Sequence, residues 1–139
     1  MRQATQTLQI TSTGATLLNI TSAISDMVNS ERMNEGLLTV FIRHTSASLI
    51  IQENADPDVL HDIENFFSRL VSRDPALYRH GAEGPDDMPA HIRSLLTQTH
   101  LSIPIQMGRL ALGTWQGIYL YEHRDMPHQR TIHLHMIGE

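Results

Sequence analysis

The chain is 139 residues long, with 40% hydrophobic and 18% charged residues, a composition typical of a single globular domain and not of a disordered chain. A net charge of −5 argues against nucleic-acid binding, and the short apolar runs exclude a membrane-spanning helix, so we expect a cytoplasmic protein. The sequence contains neither cysteine nor lysine, which excludes disulfides, thiolate metal sites, cysteine nucleophiles, lysine Schiff bases and Walker-type phosphate loops.

The N-terminal part of the chain predicts two strands followed by a helix. Residues 3–10 alternate weakly between polar and apolar side chains, and residues 15–20 follow a glycine, so we expect these two strands to form a hairpin. Thr21 or Ser22 can cap a helix that runs to about Met33.

Two strongly strand-like segments come next, at residues 37–44 and 48–53, because both are rich in Leu, Val, Ile or Phe. The two-residue period of a strand places His44 at the end of an otherwise apolar face. We therefore expect the imidazole of His44 to be partly buried.

Two further helices begin at aspartate–proline signals. Asp56 followed by Pro57 predicts a helix to about residue 72, and the segment from Asp86 to Pro89 opens another. Apolar residues at helical spacing are expected to face the core; they are Val59, Ile63, Phe67 and Leu70 in the first helix, and Ile92, Leu95 and Leu96 in the second.

Strands at residues 101–106, 114–122 and 130–137 complete the chain, with Pro104 favouring an edge or bulged position for the first of them. Strands dominate, and no glycine-rich fingerprint of a parallel nucleotide-binding sheet follows any of them. We predict an α+β fold with an antiparallel β-sandwich-like sheet and about three helices, in a single domain over residues 1–139.

The segment 78–91 is the richest in candidate metal ligands, with two histidines and three carboxylates. His91 lies near the N-terminus of a predicted helix, where the helix dipole favours the neutral imidazole that binds metal. His80 and His91 offer two ligands, and His44 could supply the third. The alternative is that these are loop histidines with ordinary hydrogen bonds, since no short zinc motif is present.

A second cluster surrounds Trp115, the only tryptophan, which is flanked by glycines. Its indole could stack on a planar ligand or anchor a core or subunit contact. Arg124 and Arg130 flank a polar loop, where they could bind a phosphate or form ion pairs.

Four motifs together resemble the YjbQ-like family, in order and over nearly the whole chain. They are His44-Thr45-Ser46-Ala47-Ser48, then Gln52 to Val59, then His80 with Asp86 to Ile92, and finally Gly113-Thr114-Trp115-Gln116-Gly117-Ile118 with Glu122. Two positions depart from the common pattern: Met88 stands where many members have asparagine, and His128 where many have arginine.

The resemblance implies a trimeric α+β sandwich with a histidine-lined metal site near subunit contacts. It also implies a thiamine-phosphate synthase activity, which joins a hydroxymethylpyrimidine diphosphate to a thiazole phosphate and releases pyrophosphate. A divalent metal and arginines can neutralise the charge on the departing pyrophosphate. A histidine-lined site favours zinc, with magnesium possible.

On this interpretation His44, His80 and His91 hold the metal, Asp87 orients one of them, and Glu53 or Glu122 transfers protons. The residues expected to bind the substrate are Thr45, Ser46, Trp115, Gln116 and Arg130. Two alternatives remain open: a metal-assisted hydrolase of a small phosphorylated metabolite, and a non-catalytic trimer that binds a metal or metabolite.

Overall fold

The computed structural model describes residues 1–139 as eight strands, three α-helices and one turn of 3₁₀ helix at Pro75–Leu77. The strands are β1 (Arg2–Thr11), β2 (Thr16–Asn19), β3 (Gly36–Ile42), β4 (Ala47–Glu53), β5 (His100–Gln106), β6 (Arg109–Leu110), β7 (Gln116–Glu122) and β8 (Gln129–Gly138). The helices are α1 (Thr21–Glu31), α2 (Pro57–Leu70) and α3 (Asp87–Leu96). No helix combines the length and the apolar character that crossing a bilayer requires.

The strands form two antiparallel sheets, which confirms the predicted α+β class. The five-stranded sheet has the order β1-β8-β3-β5-β6, and the three-stranded sheet has the order β2-β7-β4. Inward-facing side chains of both sheets and of α1 form the core; among its fully buried members are Ile24, Leu38, Val40, Leu49, Leu120 and Leu134. The alternation of buried and exposed residues along β8 and β5 matches the two-residue period of a strand.

The predicted N-terminal hairpin is wrong, although both of its strands exist. β1 pairs with β8, whereas β2 pairs with β7 in the other sheet. Gly14 adopts a φ of 126°, and a Cβ at this position would lie 2.7 Å from the carbonyl oxygen of Asp125. This conformation, which glycine adopts readily, lets the chain pass from one sheet to the other instead of folding back on itself.

The two later helices begin where the sequence predicts, but they bury less of their apolar faces than expected. The side chain of Asp56 accepts a hydrogen bond from the backbone N–H of Asp58 and so caps α2. No residue of α2 is buried, and Leu70 is 54% exposed. In α3, Leu95 is 82% exposed, while Arg93 is buried.

The expectation that the apolar residues of α3 face the core is therefore wrong for Leu95 and Leu96. Polar contacts turn the helix instead: the hydroxyl of Ser94 donates to the carbonyl oxygen of Ala47 at the start of β4. Asp87 and Arg93 lie on the inner side of α3. This orientation brings the first turn of α3 to the end of the three-stranded sheet.

Candidate metal centre

The candidate centre is built on the first turn and a half of α3 and on the loop that precedes it. Asp87 and His91 are four residues apart and so lie on the same side of the helix. Gly84, with a φ of 108°, turns the loop, and its carbonyl oxygen accepts from the N–H of Asp87. The loop thereby carries His80 over the helix N-terminus.

His80, Asp87 and His91 form a group whose potential ligand atoms all lie within 4.8 Å of one another. The Nε2 atom of His80 lies 2.5 Å from Oδ2 of Asp87, and Nε2 of His91 lies 3.4 Å from the same oxygen. The centroids of the two imidazole rings are 5.4 Å apart. Two ring nitrogens and a carboxylate oxygen therefore converge on one point.

The orientation of His91 is fixed by a backbone contact. Its Nδ1 lies 3.0 Å from the carbonyl oxygen of Thr45. Because a carbonyl oxygen only accepts, Nδ1 carries the proton, and Nε2 of the neutral ring presents a lone pair toward Asp87. Metal-binding histidines commonly have this arrangement, in which the other nitrogen donates to a carbonyl or carboxylate.

Arg124 holds the carboxylate of Asp87 from the opposite side. Its Nη1 lies 3.0 Å from Oδ1 of Asp87, and its Nε donates to Oδ2 of Asp86 at 2.9 Å. Burial alone would raise the pKa of Asp87, but the hydrogen bond from His80 and the charge of Arg124 outweigh it and lower that pKa. Asp87 is therefore an ionised, oriented carboxylate at neutral pH.

The donor set fits a divalent cation. Two imidazole nitrogens and one carboxylate oxygen are a ligand set that zinc accepts, and they leave a fourth position open for a non-protein ligand. An all-oxygen set, which magnesium prefers, is not what these three side chains offer.

His44 lies outside this group, although the sequence suggested it as the third ligand. Its Nε2 accepts the backbone N–H of Thr131 at 2.8 Å, and its Nδ1 lies 3.5 Å from Nη1 of Arg130. Burial and the charge of Arg130 lower the pKa of His44. Because Nε2 accepts the N–H of Thr131, Nδ1 carries the proton, so neither nitrogen of His44 offers a lone pair to a metal. Asp87, not His44, is the third member of the group.

Glu122 and Arg130 form a buried pair, with exposed fractions of 0% and 3%. Arg130 donates from Nε to Oε2 of Glu122 at 2.6 Å and from Nη2 to Oε1 at 2.5 Å. Burial alone would raise the pKa of Glu122, but the hydrogen bonds from Arg130 lower it. The sequence suggested proton transfer for Glu122 and phosphate binding for Arg130; in the structure the carboxylate neutralises the arginine inside the protein.

Two cavities flank the candidate centre, one beside each histidine. A cavity of about 310 Å³ is lined by His91 together with His44, Thr45 and Ile92, and its walls are mostly apolar. The other, of about 330 Å³, is lined by residues that include His80. Met88 lines both. The centre therefore has space on two sides.

Comparisons with known proteins identify the family. Residues 6–139 match the sequence profile described as UPF0047 protein YjbQ-like. The chain belongs to the YjbQ/UPF0047 family. It is 57% identical to a UPF0047 protein of Synechocystis over 99% of this chain and 94% of that protein. It is also 44% identical to the UPF0047 protein YjbQ of Escherichia coli O157:H7, over 99% of this chain and 98% of that protein.

Solved structures of similar proteins show the same fold. A hypothetical protein from Aeropyrum pernix K1 superimposes with a TM-score of 0.84 at 29% identity, covering all of both chains. A YjbQ/UPF0047 protein from Clostridium acetobutylicum gives a TM-score of 0.82 at 34% identity, covering 96% of this chain and 99% of that one. The names of these relatives state no reaction, so the function is inferred from the site.

The remaining predicted residues of this YjbQ-family chain fall into two places. Thr45 and Ser46 lie beside the centre, where their carbonyl oxygens accept from His91 and from Nη2 of Arg130. Glu53 and Gln116 pair at the far end of β4 and β7, six residues from the Ala47–Glu122 pair. At about 3.3 Å per residue, that end is about 20 Å away.

Trp115 is also at the far end and is 63% exposed. Its carbonyl oxygen accepts from the N–H of Asn54, and the side chain of Gln116 accepts from the N–H of Gly113. These motif residues thus lie apart from the histidine group in the folded chain.

The sequence reasoning overlooked Asp87 as a direct ligand and Arg124 as its support. The four-residue spacing between Asp87 and His91 was a usable signal, because residues at that spacing share a helix face. Arg124 gave no such signal, since only the fold brings it to α3.

Proposed function

We propose that this protein is a metal-dependent enzyme in which His80, Asp87 and His91 hold a divalent cation, zinc in preference to magnesium. The observation that carries the proposal is the contact between Nδ1 of His91 and the carbonyl oxygen of Thr45, which leaves the lone pair of Nε2 facing Asp87 and His80. A bound cation at this place would supply Lewis-acid stabilisation of a phosphate oxygen or activation of a water molecule.

The surrounding residues position the ligands and receive the substrate. Arg124 fixes the carboxylate of Asp87, and Thr45 fixes the ring of His91. Arg130 is engaged by Glu122, so we assign the anion-binding role to Arg79, an exposed neighbour of His80 that forms no ion pair. A phosphorylated substrate would meet this guanidinium at the outer side of the centre.

The specific reaction we propose is thiamine-phosphate synthesis, with a homotrimer as the working assembly. The family resemblance supports this activity, and the two cavities on either side of the centre suit a reaction that joins two substrates. The pyrimidine, a flat and weakly polar ring, fits the mostly apolar cavity beside His91.

A metal-assisted hydrolase of a small phosphorylated metabolite is the second candidate. The observation that favours it is the three-ligand set, which leaves one position for water. A purely structural metal in a non-catalytic trimer requires a fourth protein ligand, which the group of three does not supply.

Metal content tests the centre. We expect wild-type protein, stripped by chelation and reloaded with zinc, to bind one equivalent per subunit, and the variants His91→Ala and Asp87→Asn to bind none. His61→Ala is the matched control, because His61 is an exposed histidine on α2. His44→Ala should keep its metal. Unchanged zinc in His91→Ala, measured by elemental analysis, contradicts the proposed centre.

Product analysis separates the two reactions. We expect metal-loaded protein to form thiamine phosphate from the two phosphorylated precursors, and His91→Ala to lose that activity. Release of phosphate from a panel of phosphoesters, without thiamine phosphate formation, would identify the hydrolase instead. Light scattering should give a mass three times the 15.7 kDa of the chain; a monomer contradicts the trimer.

A further inference from the structure

A separate polar cavity lies on another side of α3. It has a volume of about 180 Å³, which is room for about six water molecules. Helix α2 contributes Glu64 to its wall, α3 contributes Arg93, and the segment after β7 contributes His123. Its other lining residues are Ala15, Ser68, Arg73, Asp86, Pro89 and Asp125.

The cavity is distinct from the metal centre because it uses a different stripe of the helix. Asp86, Pro89 and Arg93 follow the spacing i, i+3, i+7, which defines one stripe along α3. Asp87 and His91 lie on the neighbouring stripe. None of the three candidate metal ligands lines this cavity.

Arg93 is a buried cation without a protein partner. Only 9% of the residue is exposed, and its guanidinium makes neither a hydrogen bond nor an ion pair, although its backbone carbonyl accepts from Thr97. The other arginines nearby are satisfied: Arg73 pairs with Asp125, and Arg124 with Asp86. Its guanidinium borders the cavity and has no protein acceptor, so an anionic group from outside the chain can pair with it there.

Glu64 supplies a carboxylate to the same cavity. It forms no ion pair within 4.0 Å; the neutral hydroxyl of Tyr121 interacts with it, and this contact together with burial raises the pKa of Tyr121. A simple anion bound to Arg93 would therefore meet an unneutralised carboxylate, and a simple cation bound to Glu64 would meet an unneutralised guanidinium. A molecule that carries both charges satisfies both walls.

His123 adds a neutral hydrogen-bonding group to the wall of the cavity. Its Nε2 lies 2.9 Å from Oγ of Ser48, and its Nδ1 has no partner in the protein. Burial and the charge of Arg93 lower the pKa of His123 to about 3, so the ring adds no charge.

We propose that this cavity is a second ligand site that binds a small zwitterion, whose carboxylate pairs with Arg93 and whose ammonium group pairs with Glu64. This is the chemistry of a small free amino acid, and a volume of about 180 Å³ has room for glycine, alanine or serine. The site does not depend on the metal centre.

Thermal stability and calorimetry test the site on the intact, metal-free protein. We expect glycine, L-alanine or L-serine to raise the unfolding temperature with increasing concentration and to give one binding event per subunit. Acetate and methylammonium each carry only one of the two charges, so each should bind at least tenfold more weakly.

Two variants and one control locate the binding. Arg93→Met and Glu64→Gln should each weaken binding at least tenfold, whereas Arg69→Met, which changes an exposed arginine of α2, should not change it. Zinc stoichiometry in Glu64→Gln should stay at the wild-type value, which separates this site from the metal centre. The proposal is overturned if none of the three amino acids binds, if acetate binds as tightly as the best of them, or if Glu64→Gln binds with wild-type affinity.

Discussion

Residues of the YjbQ-family motifs lie at both ends of the three-stranded sheet, but the physical environments of the two ends differ. At the end where Ala47 pairs with Glu122, the carboxylate of Glu122 is buried and paired with the buried Arg130. At the end where Glu53 pairs with Gln116, the polar side chains contact backbone N–H groups, and Trp115 is mostly exposed.

This difference shows that the paired charges are concentrated at one end of the three-stranded sheet. At the first end Arg130 fixes Glu122 and Arg124 fixes Asp87, and Asp87 is also aimed at two histidines. The second end has no comparable group of paired charges. We infer that the proposed reaction takes place at the first end, whereas the second end is an exposed surface that carries Trp115.

The largest effect on stability should follow from breaking the buried ion pair between Glu122 and Arg130. Glu122→Gln leaves the guanidinium of Arg130 buried without its counter-charge, so we expect a loss of about 3–5 kcal/mol in the free energy of unfolding. Glu53→Gln makes the same change at the other end and should cost about 1 kcal/mol or less. Urea unfolding measures both. Equal losses at the two ends would contradict the contrast between them.

A pH dependence should come from His123, which lies next to Glu122. The unfolded imidazole binds a proton near pH 6.5, whereas the folded one does so only near pH 3, so the unfolded state holds more protons between these values. Stability should therefore fall as the pH falls, by about 2 kcal/mol between pH 6.5 and about pH 5.

Unfolding curves at several pH values check this dependence. His123→Gln should flatten the curve in that window, and His61→Gln, at an exposed position, should leave it as in the wild type. Identical slopes in His123→Gln and wild type would show that the buried ring is not the source.

A smaller effect, on zinc affinity, should follow from removing the arginine that positions the carboxylate of Asp87. Arg124→Met removes the contact of 3.0 Å to Oδ1 of Asp87, so we expect zinc affinity to fall by about tenfold while one equivalent still binds at saturation. Titration against a competing chelator measures the change, with Arg69→Met as the control. Unaltered affinity would mean that the carboxylate is positioned without Arg124.

The smallest effect is expected at Trp115. Because its side chain is mostly exposed, Trp115→Ala should change the free energy of unfolding by about 0.5 kcal/mol or less. Ile118→Ala, at a fully buried position three residues along, should cost about 2–5 kcal/mol. A large loss at Trp115 accompanied by a lower oligomer mass would instead place the indole in a contact between subunits.

Local signals predicted much of the secondary structure. Asp56 with Pro57 marked the start of α2, and the alternating pattern of residues 130–137 marked β8, because capping and the two-residue period depend only on neighbours in the chain. The hairpin failed for the opposite reason: which strand lies beside β1 depends on β8, at the other end of the chain.

The sequence by itself determined the α+β class, the family and the presence of His80 and His91 near a helix start. Only the tertiary structure decided that Asp87 joins them, that His44 does not, and that Arg130 is neutralised by Glu122. The physical reason is that a side chain's role at a site depends on which charges and hydrogen-bond partners surround it. Those partners come from distant segments, and only the packing of α3 against the sheet brings them together.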